Sequence, residues 1–208
     1  KQKTWAIVSI FLGAVMMMSC NNSDEGGTLD DSTSVSTTTT SQNRVAGLKP
    51  KGADPAWAPE GIDDEMLVVM EKLQSYGAPP VESLSPQEAR MGPTPTIAVM
   101  DVMKEHNIAM PASQVDTMGK DIPVYGGSIH AGIYTPRTGD STMTVIVYYH
   151  GGGWVIADLD TYDASAKGLA EQTGAVVVSV HYRQGPEHKF PTAHNDAFAA
   201  YQWVLQNA

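Results

Sequence analysis

Residues 143–154, reading Met-Thr-Val-Ile-Val-Tyr-Tyr-His-Gly-Gly-Gly-Trp, constrain the fold of this chain more than any other stretch. The run 144–149 is β-branched and aromatic, the pattern of a strand covered on both faces, and three glycines end it abruptly. Residues without a Cβ take positive φ freely and let another molecule come close to the peptide N–H groups. Amides exposed in that way can receive a negatively charged oxygen. Downstream, Asp160 is placed to cap a helix over 161–172, and Gly174 is placed to stop it. The next strand, 175–182, contains the unbroken run Val176-Val177-Val178, and the order strand, helix, strand predicts a right-handed parallel crossover. Pro191 opens a last helix that reaches about Asn207 and turns Ala197, Ala200, Tyr201 and Val204 toward the sheet.

Two blocks of residues carry a family resemblance. The first is His150-Gly151-Gly152-Gly153. The second is residues 181–191, His-Tyr-Arg-Gln-Gly-Pro-Glu-His-Lys-Phe-Pro, followed by Asp196-Ala197 and Tyr201-Gln202-Trp203. With them the chain resembles the hormone-sensitive-lipase-like branch of the α/β-hydrolases, which includes many bacterial carboxylesterases. In that family the second block commonly reads Asp-Tyr-Arg-Leu-Ala-Pro-Glu-His-x-Phe-Pro, so His181 and Gln184-Gly185 depart from it. The resemblance implies an α/β-hydrolase fold, a mostly parallel sheet with flanking helices, over 113–208. It also implies N-terminal helices over 60–112 that contribute to a cap, and hydrolysis of carboxylic esters by a serine nucleophile. It assigns the oxyanion-hole amides to Gly152 and Gly153, support of the loop to His150 and Gly151, and a third N–H to the residue after the nucleophile. Trp154 is a candidate for the pocket wall, with buried packing as its alternative.

In α/β-hydrolases the triad follows in the order Ser, Asp/Glu, His, with the serine on a Gly-x-Ser-x-Gly turn. No such turn occurs in the 208 residues. The sequence therefore reads as the N-terminal part of a longer enzyme, truncated before the nucleophile strand and lacking all three triad members. Such a piece is expected to leave an apolar sheet edge open and to be inactive and poorly soluble by itself. The sequence Gly126-Gly127-Ser128-Ile129-His130 comes near the serine turn but has histidine where the last glycine belongs. Ser128 is rejected as nucleophile because Gly126-Gly127 joins two alternating segments, 121–125 and 129–134, as a hairpin.

The segment before the hairpin reads as helical. Asp63 and Asp64 can cap a helix with Met66, Val69, Met70, Leu73 and Tyr76 on one side and Gly77 at its end. Ser85-Pro86-Gln87-Glu88 has the capping-box pattern, and 96–105 places Val99, Met100 and Met103 together. Arg183 and Glu187 are spaced to pin the following loop by an ion pair. His181, His188 and His194 are read as solvent or core residues, since the catalytic base of the family lies after the nucleophile.

The start of the chain has a different character. Lys1 and Lys3 precede an apolar run from Trp5 to Met18 that ends in Ser19-Cys20, the plan of a secretory signal and too short for a membrane span. Met17-Met18-Ser19-Cys20 resembles a bacterial lipobox, which makes residues 1–20 a lipoprotein-type signal and Cys20 the lipid-bearing residue. An ordinary signal peptide, or an uncleaved anchor, with an incidental cysteine is the competing reading. Residues 21–59 begin with a Ser/Thr-rich run too poor in apolar surface to offset its ordering entropy, and are expected to form a disordered tether. The chain would then be an exported, membrane-anchored bacterial lipoprotein, on the periplasmic or cell-surface side.

Composition excludes other classes. A net charge of −10 argues against a nucleic-acid surface. The lone cysteine permits neither a disulfide framework nor a thiolate cluster. Metal-ligand spacing and a Gly-x-Gly-x-x-Gly loop are both lacking, so no metal or cofactor is expected. Two functions remain: an esterase acting on short acyl or acetyl esters, among them those decorating polysaccharides, and a non-catalytic lipoprotein that binds a small molecule in the same pocket.

Overall fold

A computed structural model of the protein describes residues 8–10, 47–52, 62–137 and 142–208. Cys20 and most of the tether read over 21–59 lie outside the described residues. The fold is a five-stranded mixed sheet with helices on both faces and a group of short helices packed at one end. The strands are β1 (Val8–Ile10), β2 (Val115–Val124), β3 (Gly127–Pro136), β4 (Val145–Tyr149) and β5 (Val176–His181), in the order β1-β4-β5-β3-β2. β4 and β5 run parallel and adjacent, joined through the helix α4 (Asp163–Thr173), as the strand–helix–strand order requires. β2 and β3 form an antiparallel hairpin whose β3 pairs antiparallel with β5. Ser128 faces Pro123 across that hairpin, away from any strand-to-helix turn. The two turn residues are Tyr125 and Gly126, with Gly126 at φ +79°, and Gly127 already pairs with Val124.

The alternation of side chains along β4 and β5 explains the layers. Val145, Val147, Val178 and Val180 cluster with Ala200 and Val204 of the helix α5 (Thr192–Asn207) on one face. Ile146, Tyr148 and Val177 cluster with Ala166 and Ala170 of α4 on the other. A sheet covered on both sides is what the unbroken valine run demands, since neither face of that strand can meet water cheaply.

The β4 edge, expected to be open, carries β1 in parallel, with Val8, Ser9 and Ile10 opposite Ile146, Val147 and Tyr148. An edge strand presents a row of unpaired N–H and C=O groups, and an extended segment of the same chain can satisfy them. These three residues fall within the stretch read as an export signal.

The N-terminal helices are α1 (Asp64–Ser75), α2 (Pro86–Met91) and α3 (Pro95–Glu105). Their ends are locally encoded. The Ser85 hydroxyl accepts from the Glu88 amide while the Glu88 carboxylate takes the Ser85 amide, a complete capping box. Thr94 caps α3 through Ile97, and Gly77, at φ +62°, follows α1. Their faces differ from the expected methionine stripes. The buried residues are Leu67, Ala98 and Val102, whereas Met66 and Met100 are about half exposed. Apolar residues fill every position of 97–100, so several stripes fit the helical period, and the small Ala98 is the one that lets α3 pack closely. α1 is tied to α3 by the Tyr76 hydroxyl donating to Asp101 at 2.6 Å and by the Lys72–Glu105 pair.

Candidate active site

The glycine loop leaves the C-terminal end of β4 in a conformation that its residues dictate. Gly152 sits at φ +121°, where a Cβ would lie 2.0 Å from the Ile156 carbonyl oxygen; no other residue type fits there. Gly151 is held close to Tyr162, whose hydroxyl would be 2.8 Å from an added Cβ. Gly153, at φ +60°, has open space where a side chain would go, so its constraint is the backbone angle alone. Trp154 and Ala157 also take left-handed angles, φ +61° and +68°, at a cost of about 1–2 kcal/mol each for residues bearing a Cβ. The Gly152 carbonyl accepts the Val155 and Ile156 amides at 3.0 and 2.9 Å. Among the described residues, nothing accepts the amides of Gly152 or Gly153.

His150 is buried under this loop. Its Nδ1 lies 2.7 Å from the Gly151 carbonyl oxygen and therefore carries the proton, which leaves Nε2 a lone-pair acceptor without a partner among the described residues. Burial lowers its pKa, and the Gly151 contact opposes this only in part, so the ring is neutral at pH 7. The ring stacks on Tyr182 at 4.6 Å, and the Tyr182 hydroxyl donates to the His150 carbonyl at 2.7 Å. The histidine thus braces the strand end through its ring and the loop through Nδ1. His181 closes the same corner 5.8 Å away. Among the described residues, no group of three His, Cys, Asp or Glu side chains could hold a metal ion.

An open cleft of about 1040 Å³ lies between the N-terminal helices and this loop, with Gly152, Asp158, Tyr162 and His181 on one side and Leu84, Arg90 and Pro95 on the other. Trp154, the candidate for its wall, is not in the lining. Its side chain is 59% exposed and stacked on His194 at 5.9 Å, because the left-handed backbone at 154 turns it outward. Asp160 does not cap α4, which starts at Asp163 without a side-chain cap; the turn before it is made by Asp158, which accepts the Thr161 amide and hydroxyl at 2.8 and 2.7 Å.

The expected Arg183–Glu187 pair is not formed. Arg183 instead grips Asp196 of α5 through its backbone amide, Nε and Nη2 at 3.0, 2.9 and 2.6 Å, and Asp196 is fully buried. Glu187 meets Arg90 of α2 in a two-pronged pair, both contacts 2.9 Å, which draws its carboxyl down to about 2. The four-residue spacing of 183 and 187 would bring them together on a helix, but the chain there is a loop through Gly185-Pro186. Arg90 itself went unnoticed in the sequence: its partners lie 65 to 97 residues away, and only its position at the end of a capped helix marks it.

Residues 146–208 match the family model described as the alpha/beta hydrolase fold. Over 102 residues the chain is 42% identical to the carboxylic ester hydrolase LipN of Mycobacterium tuberculosis, a match spanning 48% of this chain and 27% of that protein. Over 85 residues it is 35% identical to an ethyl acetate hydrolase of Pseudomonas putida, across 40% of this chain and 27% of that protein. The crystal structure of a thermostable esterase from Pseudomonas putida superposes with a TM-score of 0.55 at 32% identity, over 72% of this chain and 44% of that one. The fold is that of the α/β-hydrolases. These likenesses support the hormone-sensitive-lipase-like branch for residues 146–208, and the chain spans about a quarter of the length of the curated relatives it matches.

Proposed function

We propose that the protein is a carboxylic-ester hydrolase in which the Gly152 and Gly153 amides receive the oxyanion formed when a serine adds to the ester carbonyl. The observation that carries this reading is the pair of consecutive glycine amides without an acceptor among the described residues, the first of them, Gly152, lining the cleft. Groups aimed in advance at developing charge need no rearrangement in the transition state, and one such donor is worth roughly 3–4 kcal/mol. No residue of this sequence is assigned as the serine nucleophile, the acid or the base. His150, neutral and bonded to Gly151, supports the loop and does not act as the base. The ethyl acetate hydrolase among the relatives favours short acyl esters.

The full-length protein is expected to hydrolyse p-nitrophenyl acetate. Gly153→Val should lower kcat by at least about a hundredfold, the worth of one oxyanion donor, a larger loss than the roughly 1–2 kcal/mol of stability that its left-handed angle costs. Unchanged turnover would remove the glycine loop from the mechanism. Saturable binding of an ester without hydrolysis would replace the enzyme with the binding protein.

The export reading stands beside this as a proposal. Cys20 is lipid-modified and tethers the hydrolase to a membrane, with an ester as substrate and no nucleic-acid partner.

A further inference from the structure

We propose that Gln184 and Arg90 are positioning residues that together hold the glycine loop open for an oxyanion. The four carbonyls that follow the glycines are each held by a donor from another segment. The Trp154 carbonyl accepts the Gly185 amide at 2.9 Å, and the Val155 carbonyl accepts Arg90 Nε at 2.7 Å. The Ile156 and Ala157 carbonyls both accept Gln184 Nε2, each at 2.9 Å. Both amide hydrogens of Gln184 are used in this way, and an oxygen could not take the place of that nitrogen between two carbonyls. Arg90 adds a 2.5 Å bond to the Gly185 carbonyl and the pair with Glu187, so four of its five N–H groups are engaged.

Two consequences follow for the loop. Its carbonyls are drawn to one set of donors, so the peptide planes cannot turn to offer an acceptor to the Gly152 and Gly153 amides. Its two left-handed residues with a Cβ, Trp154 and Ala157, are kept in that conformation by donors on their own carbonyls. Because Arg90 belongs to α2, docking of the N-terminal helices and the shape of the glycine loop are one event. In the family pattern that the second block resembles, leucine stands at the position of Gln184, and leucine has no donor.

The role in catalysis rests on the ester-hydrolase reading, whereas the brace itself can be tested without it. Hydrogen exchange is to be followed by mass spectrometry on the full-length protein, comparing wild type with Gln184→Leu and Arg90→Met. Loss of the brace should speed exchange of the Val155 and Ile156 amides by about tenfold or more, the scale of one or two lost hydrogen bonds, while the strand peptides 145–149 and 176–181 keep their protection. Unchanged exchange over 152–158 in both variants would overturn the proposal, and so would equal acceleration in the strands, the mark of a merely global loss of stability. On p-nitrophenyl acetate, Gln184→Leu should lower kcat by about tenfold and leave KM within about twofold, since a displaced donor is felt in the transition state. An active wild type whose Gln184→Leu variant exchanges faster over 152–158 yet keeps its kcat would overturn the positioning role. A wild type without esterase activity would instead remove the functional reading and leave the exchange result to judge the brace.

Discussion

An alanine at 152 would put its Cβ 2.0 Å from the Ile156 carbonyl oxygen, whereas one at 153 meets nothing within 4 Å. The two neighbouring glycines are therefore needed for different reasons, and alanine separates them. Gly152→Ala has to displace the backbone at 156 and should cost roughly 3 kcal/mol, as for severe overpacking. Gly153→Ala bears only its left-handed angle, about 1 kcal/mol. Urea denaturation of both variants checks the order, and equal costs would mean that the loop can move away from Ile156 freely. His150 gives a second test at this scale. Its folded pKa is lowered by burial, so the unfolded chain, titrating near 6.5, binds its proton more readily than the folded one. The contribution to stability is whole above about pH 6.5 and is lost as pH falls below it toward the folded value. The drop in urea midpoint between pH 7.5 and pH 5.5 should accordingly be larger in wild type than in His150→Asn. Equal drops would assign the acid sensitivity to other groups.

At the scale of elements, what could be read from the sequence depended on how far apart the deciding residues lie. Helix ends were legible because a cap is settled within four residues, as in Ser85 with Glu88 or Gly174 at φ +66° after α4. The strand before the glycines and the crossover to β5 were legible from an apolar run that suits only a doubly covered sheet. The cleft-side contacts were not. The partners of Arg90 and Arg183 are chosen by the packing of α2 against the 184–187 loop and of α5 against β5, and no spacing in the chain announces either. The departure at Gln184 was visible as a departure, but its meaning needed the carbonyls of 156 and 157 beside it. The Arg183–Asp196 pair also shows how α5 is anchored. Asp196 is the one buried carboxylate among the described residues and receives three bonds from a single arginine, which also donates to the Tyr125 carbonyl in the hairpin turn at 3.0 Å. Asp196→Ala leaves that arginine half-buried without its counter-charge and should cost about 3 kcal/mol. A loss below about 1 kcal/mol in a denaturant titration would show that Arg183 finds water or another acceptor instead.

At the scale of the molecule, the strand β1 and the proposed export signal make incompatible demands on the same residues. Cleavage before Cys20 would remove residues 1–19, and with them the segment that pairs with β4. The backbone of 146–148 would then again present an open ladder beside a sheet whose two faces are already covered by α4 and α5. In a mature lipoprotein that ladder has to be met by a different strand, so β1 belongs to the precursor and not to the working protein. The alternative is a retained N-terminus, for which Val8–Ile10 is a permanent part of the sheet and Cys20 an ordinary thiol. Mass spectrometry of the protein recovered from the membrane fraction of its native host separates the two. The lipoprotein reading expects a chain that begins at an acylated Cys20, heavier than the bare polypeptide by its fatty-acyl groups and lacking any peptide from 1–19. Recovery of the 8–10 segment from the mature protein, with Cys20 open to alkylation, would keep β1 in the fold and remove the lipid anchor.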